Sequence, residues 1–295
     1  MDGTAMVAPP GGLALAGGAW EAVLLPGHGA AFARLACDGV EVLAPLPLGA
    51  DPNASFAGAF LMAPWTNRLD GGRLPVGGTT YQLPINRPID GTAIHGLLRD
   101  AAWTVQEAMP ARAVLTQQGD ALALGVPWSW QARLEVTLDA AGLQIGLTLT
   151  NGGALPFPFG CGWHPFFMRP PGTRLRFAAT TRFARDARTL PVAAQPCDGL
   201  DGDESAYEGL DTQFAGWDGV AEIIRPDLAL RLAARGAWAG NLQVFAPAGS
   251  HILCVEPVSH VPDAPNRPDL ARFGPLALLA PGESLEAVLR ITRRR

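Results

Sequence analysis

The sequence predicts a mainly β protein, and three observations carry that expectation. Apolar residues recur at period two: Leu143, Ile145, Leu147 and Leu149 are separated by Gln144, Gly146 and Thr148, and the spacing repeats at Leu175 and Phe177, at Leu228, Leu230 and Leu232, and at Leu285, Ala287, Leu289 and Ile291. A strand turns successive side chains to opposite faces, so this period marks strands with one buried face. Turn clusters such as Asp139-Ala140-Ala141-Gly142, Asn151-Gly152-Gly153 and Pro281-Gly282-Glu283-Ser284 interrupt the alternation at short intervals, with residue types that tolerate tight reversals. No window holds a helical period with capping signals at both ends. Many half-buried antiparallel strands without intervening helices imply a sandwich or a barrel.

A chain of 295 residues that is 48% hydrophobic can bury a sizeable core. Nothing in its middle resembles a linker and no repeat runs at a fixed period. One sandwich domain is therefore expected over residues 21–295, after a partly ordered lead-in over residues 1–20. The formal net charge is -5 and all 22 cationic residues are arginines, scattered apart from the terminal Arg293-Arg294-Arg295. Without a basic stripe to track phosphates, a nucleic-acid partner is not expected. Cys37, Cys161, Cys197 and Cys254 lack CxxC spacing, which fits free thiols in a reducing compartment better than a disulfide framework or a zinc site. No basic residue precedes Gly11-Gly12, and Pro9-Pro10 breaks the one apolar stretch there. Neither a secretory signal nor a membrane span is expected, and the protein reads as cytoplasmic. One face of a sandwich can pair with a second copy and leave no local motif, so a homodimer is compatible with the sequence.

Two runs carry chemistry. In Gly162-Trp163-His164-Pro165-Phe166-Phe167 and in Cys254-Val255-Glu256-Pro257, an ionisable residue lies among apolar neighbours directly before a proline. The residue before proline is held in extended backbone, so His164 and Glu256 should project from strand-like segments with little torsional freedom. A lone His beside aromatic residues is commonly just half-buried, whereas Glu among apolar residues is rare without a partner. An imidazole and a carboxylate held rigidly make an acid–base pair.

These runs belong to an ordered set: Asn67-Arg68, Gly71-Gly72-Arg73, Tyr81-Gln82-Leu83-Pro84, Ile94-His95-Gly96, Gly162 to Phe167, and Glu256-Pro257 with Pro262-Asp263-Ala264-Pro265-Asn266. In order and approximate spacing the set resembles the aldose 1-epimerase (galactose mutarotase) family, over nearly the whole chain. The resemblance implies a single large antiparallel β-sandwich of galactose mutarotase type whose concave face binds a monosaccharide. It also implies interconversion of α and β anomers through ring opening. A base removes the C1 hydroxyl proton while an acid protonates the ring oxygen, and the roles exchange on closure; no metal or cofactor is called for. By this resemblance Glu256 is the base, its pKa raised by apolar flanks, and His164 is the acid, its protonated form favoured by the carboxylate. His95 matches the family's second active-site histidine, Arg68 its substrate-binding arginine with Asn67 beside it, and Asp211 its substrate-binding aspartate. Gln243 is a further candidate hydroxyl ligand. Trp163, with Trp65, Phe166 and Phe167, could offer an apolar platform to the sugar. His95, His164, His251 and His260 lack short ligand spacings, so no metal site is expected.

The segment His95-Gly96-Leu97-Leu98-Arg99-Asp100 departs from the glycine-rich continuation of galactose mutarotases and is similar to the hexose-6-phosphate epimerase branch. A phosphate would want converging cations, and Arg68, Arg87 and Arg99 are the candidates. The blocks Pro64-Trp65-Thr66-Asn67-Arg68 and Glu256-Pro257 favour a free aldohexose instead, which leaves the 6-phosphate as the alternative. A non-catalytic sugar-binding or regulatory protein would predict damage to the acid–base pair, and both residues are present. A glycoside hydrolase or lyase would need a second carboxylate, which the motifs do not supply.

Overall fold

In the computed structural model, which describes residues 8–294, the alternating segments are strands of two large antiparallel sheets. One sheet runs in the order Thr104–Met109, Arg112–Asp120, Ser129–Asp139, Gly142–Asn151, Ser284–Arg293, Ala229–Gly236, Val220–Ile224, Arg174–Phe177 and Leu200–Gly202. The Asp139-to-Gly142 turn closes a hairpin in which Leu143 faces Leu138 and Leu147 faces Leu134. Across its other edge the same strand pairs with Ser284–Arg293, Ile145 against Leu289. Leu143, Ile145, Leu147, Leu149, Leu289 and Ile291 are buried, while the residues between them are partly exposed.

The second sheet has as its main path Leu13–Gly17, Trp20–Leu25, Ala31–Cys37, Ala59–Met62, Gly162–Pro165, Ile252–Val258, Asn241–Phe245, Asp211–Ala215, Thr181–Arg185 and Pro191–Pro196. Its central strands have both faces covered: Ile252–Val258 is buried at all seven positions. Inward residues of both sheets merge in one hydrophobic cluster reaching from Leu15 to Ile291. The opposite face carries a smaller apolar group around Phe60, Met62, Phe166 and Cys254. Among the described residues the α-helices are two four-residue segments, Glu204–Tyr207, capped by Asp203, and Pro268–Ala271. Within the expected lead-in, Leu13–Gly17 is an edge strand paired with Trp20–Leu25, and residues 1–7 lie outside the described residues. All four cysteines are free thiols. No helix among the described residues is long and apolar enough to cross a membrane.

Candidate active site

Five neighbouring strands of the second sheet build the floor of a cavity of about 340 Å³, within the range of small-molecule sites. Register decides which side chains meet there. Phe60 lies opposite His164, and Gly162 lies opposite Val258, so that two residues further along His164 faces Glu256. Glu256 is opposite Gln243, which is opposite Gln213. Phe60, His164, Glu256, Gln243 and Gln213 thus form one row across the sheet. The residues next to them in sequence, Leu61, Trp163, Val244 and Val255, project into the sandwich core.

His164 Nε2 stands 3.4 Å from Glu256 Oε1, both side chains buried. The imidazole is held between two rings, stacked on Phe60 with centroids 4.7 Å apart and tilted against Phe166 at the same distance. Burial pushes His164 down to about 3, helped by the positive charge of Arg99. Burial also lifts Glu256 well above the usual carboxylate range; nearby Asp211 adds to this and Arg68 opposes it. Both shifts disfavour charge, so the resting pair is neutral, with its one proton on the carboxyl. The expectation of a protonated His164 is corrected on this point: desolvation outweighs the attraction of a carboxylate that is itself held neutral. His95 stands edge-on to His164 at 5.1 Å and is driven well below its ordinary range, first by burial. Its backbone has φ +67, and Gly96 after it has φ +72, where a Cβ would lie 2.1 Å from the Ala63 carbonyl oxygen. That close approach accounts for the Ile94-His95-Gly96 block.

His164, Cys254 and Glu256 each bring a potential metal-ligand atom within 4.8 Å of the others, the one such trio among the described residues. Sequence spacing hid it, because the histidine comes from a different strand. Burial and the neighbouring carboxylates push the Cys254 thiol up.

A polar wall rises beside the Gln243 side of the row. Arg68 Nε donates to Asp90 Oδ2 at 3.0 Å, its backbone N–H donates to Asn67 Oδ1 at 2.9 Å, and its Nη2 is 3.9 Å from Asp211. Gln243 Nε2 donates to Asp211 Oδ1 at 2.7 Å, and Arg185 Nη1 is 3.0 Å from Asp211 Oδ2. Two residues outside the cavity fix this wall. His260 Nε2 accepts from the Thr66 N–H at 2.9 Å, which leaves Nδ1 to donate to the Val261 carbonyl. Only glycine fits at position 160 beside that ring, where a Cβ would come within 2.2 Å of it. Asp263 Oδ1 accepts from the Asp70 N–H at 2.9 Å, and the Asp263 N–H donates to the Arg68 carbonyl at the same distance. The Pro262-Asp263-Ala264 run is therefore a clamp on the strand Arg68–Asp70.

The structure brings Asn67, Arg68, His95, His164, Asp211, Gln243 and Glu256 to one cavity. Trp163 is the exception. It is fully buried, edge-on to Phe32 and Phe167, and lies in the core. Adjacent strand residues face opposite ways, so a floor position for His164 excludes one for Trp163. Trp65 and Phe167 are also core, and the phenylalanines that line the cavity are Phe56, Phe60, Phe166 and Phe245. Asp90, which orders Arg68 and Arg87, and Phe60 were missed; neither stands in a run with any signal beyond its residue type.

A model of the aldose 1-epimerase family matches residues 14–292. The Escherichia coli (strain K12) protein YphB, itself uncharacterised, is 29% identical over 260 residues, covering 78% of this chain and 82% of YphB. Among solved structures, an E. coli K12 protein provisionally assigned as an aldose 1-epimerase superposes with a TM-score of 0.84 at 25% identity, covering 96% of this chain and 98% of its own. A galactose mutarotase-like protein from Clostridium acetobutylicum shares the fold with a TM-score of 0.83 at 20% identity, over 96% of this chain and 94% of its own. With the family match running almost from end to end and the same fold in these solved relatives, the chain belongs to the aldose 1-epimerase family.

Proposed function

We propose that the protein interconverts the α and β anomers of an aldose by opening and reclosing its pyranose ring. The observation that carries this reading is the buried His164–Glu256 pair at 3.4 Å on the cavity floor. Ring opening removes a proton from the C1 hydroxyl and adds one to the ring oxygen. A pair that holds one proton in total matches this balance in either direction. With the proton on His164, Glu256 takes the C1 proton as His164 protonates the ring oxygen, and opening leaves the proton on Glu256. Rotation about C1–C2 followed by the reverse exchange closes the ring on the other face. Positioned groups of this kind contribute about 10²–10⁴-fold each. His95 stands at the ring-oxygen end, and Arg68, Asp211 and Gln243 offer donors and acceptors to hydroxyls along the other wall.

Neutral aldohexoses test the chemistry in its simplest form. Polarimetry on freshly dissolved α-D-galactose and α-D-glucose should show mutarotation faster than the buffer rate, and Glu256→Gln should return it close to that rate. Sugar binding without acceleration would sink the catalytic reading in favour of a binding protein.

A further inference from the structure

Beside the acid–base pair sits a third donor, the Cys254 thiol, to which ring opening gives no task. Cys254 and Glu256 are two residues apart on the strand Ile252–Val258, so their side chains leave the same face of the sheet. His164 comes from the strand paired with it. An imidazole nitrogen, the thiol sulfur and a carboxylate oxygen of these three residues all lie within 4.8 Å of one another. A tetrahedral ion of the zinc type, with bonds of about 2.0–2.3 Å, sets its donor atoms roughly 3.3–3.6 Å apart. His164 Nε2 and Glu256 Oε1 stand at 3.4 Å without any ion. Only the thiol has to draw in, by roughly 1 Å.

The donor set says which ion would fit. Thiolate and imidazole suit zinc and softer cations, whereas magnesium and calcium take oxygen ligands. All three residues are buried, and the imidazole is held from two sides by Phe60 and Phe166, so little has to be ordered on binding. His164 and Glu256 line the cavity, which leaves the fourth position of the ion open towards it. A thiolate and a carboxylate carry two negative charges against the two positive charges of the ion, so the loaded site is neutral overall, as suits a buried one. Cys37, Cys161 and Cys197 belong to no such group among the described residues. We propose that His164, Cys254 and Glu256 form an inhibitory site for a thiol-seeking divalent cation of the zinc class. Binding sends the thiol proton and the single proton of the pair to solvent and occupies the two groups that must exchange protons with a sugar. The site departs from the absence of metal expected from the sequence. Cation binding does not depend on the epimerase reading, but the loss of turnover rests on it.

The test titrates the full chain with Cd²⁺ and with Zn²⁺, in wild type, Cys254→Ala and His164→Asn. Wild type should develop the ultraviolet cadmium–thiolate charge-transfer band and saturate at one ion per chain. Both variants should lose the band or need at least about 10–100-fold more ion, the loss that follows removal of even a supporting partner of a metal ligand. In parallel, Zn²⁺ should stop anomer conversion of an aldohexose that wild type accelerates, a chelator should restore it, and Mg²⁺ should leave it unchanged. Cys254→Ala should keep most of the wild-type turnover and lose its sensitivity to Zn²⁺ by the same factor. No band in wild type, or an equal band in Cys254→Ala, would overturn the site. Equal inhibition of wild type and Cys254→Ala would place the ion on the pair alone and overturn the role of the thiol, and a band without inhibition would overturn the inhibitory role. A band in a protein that accelerates no sugar would leave the cation site standing and count against the epimerase reading. Should Cys254→Ala fail to fold, His164→Asn decides, and an undiminished band there overturns the site.

Discussion

A neutral His164 has a consequence for stability that can be measured without any sugar. The free imidazole titrates at 6.5, and in the fold it is pushed down to about 3. Between those values the unfolded chain binds a proton that the native site refuses, so stability falls as pH falls through the window and is fully present above it. The slope is about 1.4 kcal/mol per pH unit, so going from pH 7 to about pH 5 removes roughly 2 kcal/mol through this residue. His164→Asn cannot take up that proton. Urea denaturation of wild type and variant at about pH 7, 6 and 5 should show the gap between them moving by roughly 2 kcal/mol in favour of the variant. His95 and His260 are also held down, His260 to about 4, but both remain in the two proteins and largely cancel in the difference. An ion pair between His164 and Glu256 would instead hold His164 protonated in the native state, so that wild type would gain on the variant as pH falls from 7 to 5. Stability curves that stay parallel from pH 7 to pH 5 would therefore refute the neutral pair.

Glu256→Gln removes the base, and its kcat should fall by about 10²–10⁴-fold. The same variant should be more stable than wild type near neutrality, because a carboxyl held above its ordinary 4.5 costs stability as pH rises from 4.5 towards its native value. Melts repeated below pH 4.5 should show that advantage gone. Trp163→Ala should cost about 3–5 kcal/mol of stability, as for other buried aromatics, and leave the turnover of folded protein near wild type; a large loss of turnover with unchanged stability would return Trp163 to the sugar platform. The pH profile of turnover should show no acid limb near 6.5, since His164 takes a second proton only near 3, and should decline on the alkaline side as the pair loses its single proton. An acid limb centred near 6.5 would contradict the His164 assignment.

The strands were legible because a half-buried strand writes its geometry into the chain. Leu143 to Leu149 and Leu285 to Ile291 alternate as the register later pairs them. The acid–base residues were legible through their pre-proline motifs, but what surrounds them was not. Trp163 and His164 are adjacent, and sequence alone does not tell which of two neighbours faces the cavity; that depends on the register of Gly162–Pro165 against Ala59–Met62, which also brings Phe60 onto His164. Nor does the chain show that His164 is neutral, because desolvation depends on how completely Phe60 and Phe166 enclose it. Cys254 stood in view beside Glu256, yet its nearness to His164 arises only when Gly162–Pro165 and Ile252–Val258 pair. Asp263 lay inside a recognised motif, and its work as a backbone clamp appears only once Arg68–Asp70 is placed beside it.

The neutral pair also bears on what the cavity can hold. Were Glu256 ionised, it would set a negative charge at the centre of the row and offset part of the field of Arg68, Arg87 and Arg99. With its proton retained, these cations are opposed by Asp90 and Asp211, which bond Arg68, Arg87 and Arg185, and by Asp100 and Asp51 near Arg99. His95 and His164 both feel the positive charge of Arg99, and His95 that of Arg68 and Arg87 as well, which helps hold both imidazoles neutral.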